Sequence, residues 1–298
     1  MQSHRFTEFA TNEIILDHPP RRVVSLIPSM TESLFDLGLG RALVGITDYC
    51  ICPKELLKNL PRIGGPKNPR ISDILALKPD LVLANQEENT PQVVSDLEKV
   101  GVKVWVSFPK TVRESIQILY SLAEVFKSQF ATQCVDTLDR GLEMLEQSRG
   151  DVASRPYFCP IWHDVTRSGQ LWWMTFNRHT YAGDLLYWLG GENVFAQRER
   201  LYPLEADLRT GQLEKQENRD TRYPRVTIDE IRSANPELIL LPSEPFEFRE
   251  EHRQQIMDLL ADVDAVKNGK VSRVDGSLVT WHGTRLAKAI LELRPLFD

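Results

Sequence analysis

Ile71-Ser72-Asp73-Ile74-Leu75-Ala76-Leu77-Lys78-Pro79-Asp80-Leu81-Val82-Leu83 and Ile228-Asp229-Glu230-Ile231-Arg232-Ser233-Ala234-Asn235-Pro236-Glu237-Leu238-Ile239-Leu240 align without a gap at a constant offset of 157 residues (71 to 228, 79 to 236). Each reads as an amphipathic helix stopped by proline, then an acidic residue, then a short apolar strand. A second pair lies upstream in the same order: Thr31-Glu32-Ser33-Leu34-Phe35-Asp36-Leu37-Gly38 resembles Gly183-Asp184-Leu185-Leu186-Tyr187-Trp188-Leu189-Gly190, both helices ending at glycine. The period is too long for a solenoid repeat. It predicts two similar α/β lobes and, with them, a cleft.

Working outward, the first lobe alternates strand and helix. Arg22–Ile27, Ala42–Ile46, Asp80–Ala84 and Val102–Val106 are apolar, β-branched runs that read as strands. Helices are expected from Pro28, from Thr90-Pro91 and over 112–126, so the sheet should be mainly parallel with helices on both faces. Phe130 to Arg149 reads as one long helix whose stripe is Phe130, Cys134, Leu138, Leu142 and Leu145. It sets the divisions: an N-terminal lobe over 1–128, a linking helix over 129–150 and a C-terminal lobe over 151–298. In the second lobe, Leu171–Thr175 reads as a strand, Tyr181–Gly190 as a helix and Gln197–Arg225 as a charged surface loop. A helix from Glu250, a strand over Lys270–Val274 and a closing helix over Thr284–Phe297 follow.

Composition bounds the function. The chain has 298 residues, 42% of them hydrophobic, and a net charge of −6, which argues against a general nucleic-acid binder. Met1 to Glu13 is polar, and Ile14-Ile15-Leu16 is too short for a signal-peptide core or a membrane span. Cys50, Cys52, Cys134 and Cys159 read as free thiols, because no second Cys/His pair stands at ligand spacing. The histidines are scattered, with no HxH or HExxH pattern, so no direct metal site is expected. The chain also lacks a GxSxG elbow, a GxxxxGK[ST] loop and a GxGxxG after the first strand. No catalytic residue is assigned, and no cofactor is expected of the protein itself.

Several of these segments, in order, are similar to class III substrate-binding proteins of ABC importers, which bind cobalamin, siderophores and haem. They are Arg22-Val23-Val24-Ser25-Leu26-Ile27-Pro28-Ser29-Met30-Thr31-Glu32, Val44-Gly45-Ile46-Thr47-Asp48-Tyr49, Leu75–Val82, Gly190-Gly191-Glu192-Asn193-Val194-Phe195 and Trp281. The resemblance runs from about Arg21 to Leu296. It implies two α/β lobes joined by a long rigid helix, no enzymatic activity, an importer permease as partner and a small-molecule metal chelate as ligand. No membrane insertion and a monomer are expected. Within the family the resemblance is to the corrinoid-binding members, with cobalt carried by the ligand; a ferric siderophore or haem is the alternative. It also implies work outside the cytoplasmic membrane, in the periplasm or at the cell surface. The polar start of the chain keeps open a cytoplasmic enzyme or chelate carrier on the same fold. The family's tryptophan before the first repeated helix is replaced here by Pro66, and the 197–225 insertion is a second departure.

In open parallel sheets, ligands bind beyond the carboxyl ends of the strands. Ser29, Met30, Tyr49 and Gln86 follow strands of the first lobe; Trp162, His163, Trp281 and His282 follow strands of the second. Tyr49, Tyr223 (in Tyr223-Pro224) and Trp281 also match aromatic positions that line the family's corrinoid cleft. The plain alternative for Trp281 and Trp162 is core packing, and for His163 and His282 ordinary surface positions. Of Trp172-Trp173 at least one belongs in the core. Arg285, at the start of the last expected helix, reads as a surface residue, with a place facing the cleft or a pairing with an acid as the alternative. Asp73 and Glu230 hold equivalent places in the repeats. Both suit the first turn of a helix, and the resemblance implies that each docks on a permease arginine. Ser72 and Asp229 are their neighbouring alternatives.

Overall fold

The computed structural model describes residues 4–7, 13–148, 154–215 and 217–298. The chain divides into two compact units. One comprises Met1–Glu143 with Trp281–Ala287, the other Met144–Thr280 with Lys288–Asp298. The division falls inside the long helix, between Glu143 and Met144. The return of Trp281–Ala287 to the first unit has no counterpart in the sequence reading.

The first unit opens with an antiparallel pair, β1 (His4–Thr7) and β2 (Glu13–Leu16). Its main elements are β3 (Val23–Ser25), α1 (Pro28–Asp36), β4 (Leu43–Ile46), α2 (Ile71–Ala76), β5 (Leu81–Asn85), α3 (Pro91–Lys99), β6 (Val104–Ser107) and α4 (Val112–Val125). The four strands form one parallel sheet in the order β4-β3-β5-β6. Val24, Leu26, Ile74, Val82, Leu97 and Val104 are packed into one buried core. Thr90 and Thr111 accept the capping hydrogen bonds that start α3 and α4. α5 (Gln129–Ser148) is continuous for 20 residues; Arg149, its expected last residue, lies outside the described residues. Its buried positions are Ala131, Val135, Leu142 and Leu145. Phe130, expected at the head of that stripe, is instead exposed.

The second unit contains β7 (Arg155–Phe158), β8 (Trp162–Val165), β9 (Leu171–Met174), α6 (Tyr181–Trp188), β10 (Gly191–Asn193), α7 (Leu204–Asp207), β11 (Arg225–Val226), α8 (Ile228–Ala234), β12 (Leu238–Pro242), α9 (Glu250–Leu259), α10 (Asp264–Lys267), β13 (Val271–Val274) and α11 (Ser277–Thr280). A parallel sheet runs β10-β7-β12-β13. The expected strand at Leu171 does not join it. It forms a separate antiparallel sheet, β11-β9-β8. Both Trp172 and Trp173 on this strand are buried, so a two-faced strand here has two covered faces. The closing helix α12 spans Leu286–Leu293, followed by a turn of 3₁₀ helix. It starts later than expected because the residues before it are engaged with the first unit.

The repeat is realised element for element: α2 leads to β5, and α8 to β12, at the same offset and in different sheets. Both helices stop by the same device. Lys78 and Asn235, at equivalent positions before the prolines, have φ of 46° and 44°. Left-handed backbone ends a helix, and asparagine tolerates it far better than lysine. Asn235 also exchanges two side-chain hydrogen bonds with Asp264, whereas Lys78 is exposed. Lys78→Asn is therefore expected to stabilise the fold by about 0.5 kcal/mol, and Asn235→Lys to destabilise it by about 1–2 kcal/mol. Urea midpoints at unchanged slope check both signs; a stabilising Asn235→Lys would contradict the argument.

Candidate functional site

The site residues of the first unit are set by two loops and the returning segment. After β4, Thr47 to Cys50 turns sharply and is fastened from behind. Arg62 Nη1 donates to the carbonyls of Thr47 and Cys50, both at 2.7 Å. The buried Cys50 thiol meets Thr31 Oγ1 at 3.1 Å and Thr47 Oγ1 at 3.2 Å; burial pushes its pKa up, so it packs as a neutral group. This scaffold leaves Tyr49 standing out, 65% exposed. Ser29 and Met30 are buried in α1, and the Ser29 carbonyl accepts from Ser33 Oγ at 2.8 Å.

After β5, Asn85 organises the loop. Its backbone N–H donates to Asn89 Oδ1 at 2.8 Å, and its Oδ1 accepts from Glu87 N at 2.8 Å. Asn89 Nδ2 donates to the Pro66 carbonyl at 2.9 Å, so the proline position serves through its backbone. Gln86 is exposed on this loop. Asn85 Nδ2 lies 3.4 Å from both Ser107 Oγ and His282 Nε2, an arrangement in which Nε2 accepts.

Trp281–Ala287 is locked onto the same unit. Gly283 N donates to Ser115 Oγ at 2.7 Å, and Thr284 N to Ser33 Oγ at 3.1 Å. Gly283 has φ +92°, and a Cβ there would lie 2.3 Å from Ser33 Oγ, so only glycine fits. Arg285, read as a surface residue, is buried: Nε donates to Glu32 Oε2 at 2.7 Å, with side-chain exposures of 5% and 16%. Its guanidinium also lies 4.9 Å over the Trp281 ring. Removing one partner of such a pair typically costs about 3–5 kcal/mol. Trp281 and His282 are themselves 7% exposed, so both are core groups of this unit, against the surface position considered for the histidine.

In the second unit Trp162, at the start of β8, is 41% exposed and packs edge-on against Phe246 at 5.5 Å. His163 sits in a ring cluster with Phe246 at 4.6 Å, His252 at 5.1 Å and Phe248 at 5.9 Å. Burial, and then His252, push its pKa down. A neutral packing role follows. Tyr223 is half-buried under the Arg222 guanidinium, 5.1 Å from its ring centre.

The two repeat carboxylates differ. Asp73 is 45% exposed and pairs with Arg70 at 2.6 Å. Glu230 is engaged inside its own unit: it closes a capping box with Thr227 and meets Arg198 at 3.2 Å and Arg209 at 3.7 Å. Its neighbour Asp229 is 86% exposed. Position 227 is threonine where the first repeat has Arg70, and position 229 is aspartate where it has Ser72; the threonine engages Glu230 in the capping box, and the outward carboxylate stands one residue earlier. Among the described residues no group of three or more His, Cys, Asp or Glu side chains is placed to hold a metal ion, and no helix is long and apolar enough to cross a membrane. Arg62, Asn89 and Glu32 as the partner of Arg285 escaped the sequence reading because their roles depend on partners far away in the chain.

Burial depresses the His282 pKa to about 4. Neutral His282 therefore stabilises the fold fully above about pH 6.5, its ordinary value, and this contribution is lost as pH falls towards 4. The loss amounts to about 3 kcal/mol. His282→Gln, which keeps an acceptor, is expected to lower stability at neutral pH but to flatten the decline between pH 6.5 and 4 by about that amount. Chemical unfolding of both proteins across this range tests it; parallel pH profiles would contradict it.

The periplasmic binding protein family matches residues 23–278. An uncharacterized ABC transporter substrate-binding lipoprotein of Bacillus subtilis, YvrC, is 25% identical over 297 residues, 95% of this chain and 82% of that protein. A vitamin B12-binding protein of Photorhabdus laumondii is 26% identical over 74% of this chain and 70% of its own length. The crystal structure of the periplasmic vitamin B12 binding protein BtuF of Vibrio cholerae superposes with a TM-score of 0.73 at 21% identity, over 94% of this chain and 97% of that one. Two parallel-sheet units, a long helix at their division and a family match over most of the length lead to one conclusion: the chain belongs to the periplasmic binding protein family, as a substrate-binding protein of the ABC transporter type and not an enzyme.

Proposed function

We propose that this protein captures a corrinoid outside the cytoplasmic membrane and delivers it to an importer permease. The observation that carries this reading is Tyr49. An arginine-clamped turn holds out a large ring at 65% exposure, where its face is available to stack on a ligand. In the same unit, the loop after β5 offers the exposed neutral amide of Gln86, held in place by the buried Asn85. The second unit offers Trp162, at the start of β8, and Tyr223, just before β11. Apolar walls with a few amide hydrogen-bonding groups suit a large, flat, amide-fringed ligand. The names of the Photorhabdus and Vibrio proteins support the same choice.

His282 contributes by supporting Asn85 from behind, and Trp281 by packing under Arg285. Asp73 and, in place of Glu230, Asp229 are the carboxylates available to basic residues of a permease. A concave surface lined by Leu171, Phe195, Ile228 and Leu259 adjoins Asp229. Such exposed charges act on association rate and salt dependence more than on raw affinity.

Calorimetry with cobalamin and cobinamide tests the ligand. Both are expected to bind, and Tyr49→Ala to weaken them roughly tenfold, the loss of one aromatic wall being worth about 1–3 kcal/mol. Absence of saturable heat with either corrinoid would remove the reading. For docking, Asp73→Lys with Asp229→Lys is expected to preserve ligand affinity while abolishing stimulation of the cognate transporter's ATPase in proteoliposomes. Full stimulation by the double variant would refute it.

A further inference from the structure

The segment 197–225 is not the featureless loop that its charge pattern suggests. It carries six arginines, at 198, 200, 209, 219, 222 and 225, and five of them meet a carboxylate. Arg198 and Arg225 share Asp207, whose side chain is fully buried, at 3.1 and 2.8 Å. Arg209 reaches Glu230, Arg219 reaches Glu214 at 3.5 Å, and Arg222 meets Asp220 at 2.6 Å. Arg200 meets none among the described residues. Its backbone N–H is bonded to the Thr221 carbonyl at 2.8 Å, which fixes it beside the strand leading to Tyr223. Its Nε is buried with no hydrogen-bond partner among the described residues.

The surroundings of Arg200 are cationic. Its guanidinium lies 4.7 Å over the Tyr202 ring, with Arg219 at 4.8 Å and Arg225 at 5.8 Å from the same ring. Burial, and then Arg225, disfavour its charged form. A guanidinium cannot escape by losing its proton. The two nearby acids, Asp207 and Asp220, are already committed to other arginines. A partly desolvated cation with a buried, unsatisfied donor calls for a counter-charge. Guanidinium forks match planar and tetrahedral oxyanions, and Arg219, in a long and exposed pairing, stands on the same ring as a second donor.

We infer that Arg200, with Arg219, forms an oxyanion seat on the Tyr202 ring. Resting on the corrinoid reading, this seat takes the phosphodiester of a cobalamin's nucleotide loop. The 197–225 segment would then distinguish complete cobalamin from cobinamide, which lacks the nucleotide and its phosphate. A free phosphate ion offers the same chemistry, and the test separates the two.

Two probes are applied to the full chain and to Arg200→Gln. The first is inorganic phosphate against chloride at matched ionic strength, read as thermal midpoint. The wild-type midpoint should rise with phosphate and that of Arg200→Gln should not. Arg219→Gln, at an exposed position, should reduce the rise and serves if Arg200→Gln folds poorly. A wild-type midpoint indifferent to phosphate overturns the seat. The second probe is calorimetry with the two corrinoids. Arg200→Gln should weaken cobalamin about tenfold and leave cobinamide within about twofold. Equal loss for both, or for neither, overturns the assignment to the nucleotide phosphate. If the wild type binds neither corrinoid, the ligand reading falls, and the phosphate response alone decides the seat.

Discussion

The return of Trp281–Ala287 to the first unit is the constraint on which most of the rest depends. These residues are separated from the bulk of that unit by more than a hundred others, yet they supply part of its core. They are held by hydroxyls of Ser33 and Ser115 and by the Glu32 carboxylate. Because Gly283 leaves no room for a side chain beside Ser33, the backbone closes to hydrogen-bonding distance. Arg285 can then reach Glu32 and cover Trp281. The consequence for function runs through His282. Its ring fixes Asn85, Asn85 orders the loop after β5, and that loop presents Gln86. The buried residues of this segment are thus the support of the proposed site, whose exposed members lie elsewhere.

Charge in the second unit obeys a similar logic. A long, polar, six-arginine segment would be expected to wander in solvent. Instead Asp207 is drawn fully inside by Arg198 and Arg225, and Arg198 extends the network to Glu230 at the start of α8. Burying a carboxylate is tolerable only with such multiple pairing. The network therefore fixes the insertion, removes Glu230 from the surface and leaves Asp229 outside. The same accounting singles out Arg200, alone of the segment's six arginines, as lacking a carboxylate among the described residues.

The architecture was legible because it was written twice. Two helix–proline–strand units at one offset could hardly arise from a single sheet, and their shared left-handed stop shows up as Lys78 and Asn235. The exposed candidates Tyr49, Gln86 and Trp162 were found by a positional rule, residues just after strands. That rule cannot see depth, so it also selected Ser29, Met30, Trp281 and His282, which are buried. It gave no warning that β9 leaves the parallel sheet, since an apolar run reads alike in either kind of sheet. Arg285 was misread for a related reason: a charge is taken as exposed until its partner is known, and Glu32 lies in α1. Arg62 and Asn89 carry no local signal at all; only tertiary contacts distinguish them from other polar loop residues.

The central claim is that the protein binds a corrinoid in preference to the other chelates its fold accommodates. The most direct measurement is a thermal-unfolding screen with cobalamin, cobinamide, haem and a ferric siderophore. Each is used at a concentration where a ligand at about a hundred times its Kd adds about 2.7 kcal/mol. The account predicts a clear rise in midpoint with the corrinoids and none with haem or the siderophore. A rise with haem or the siderophore, and none with either corrinoid, would contradict it.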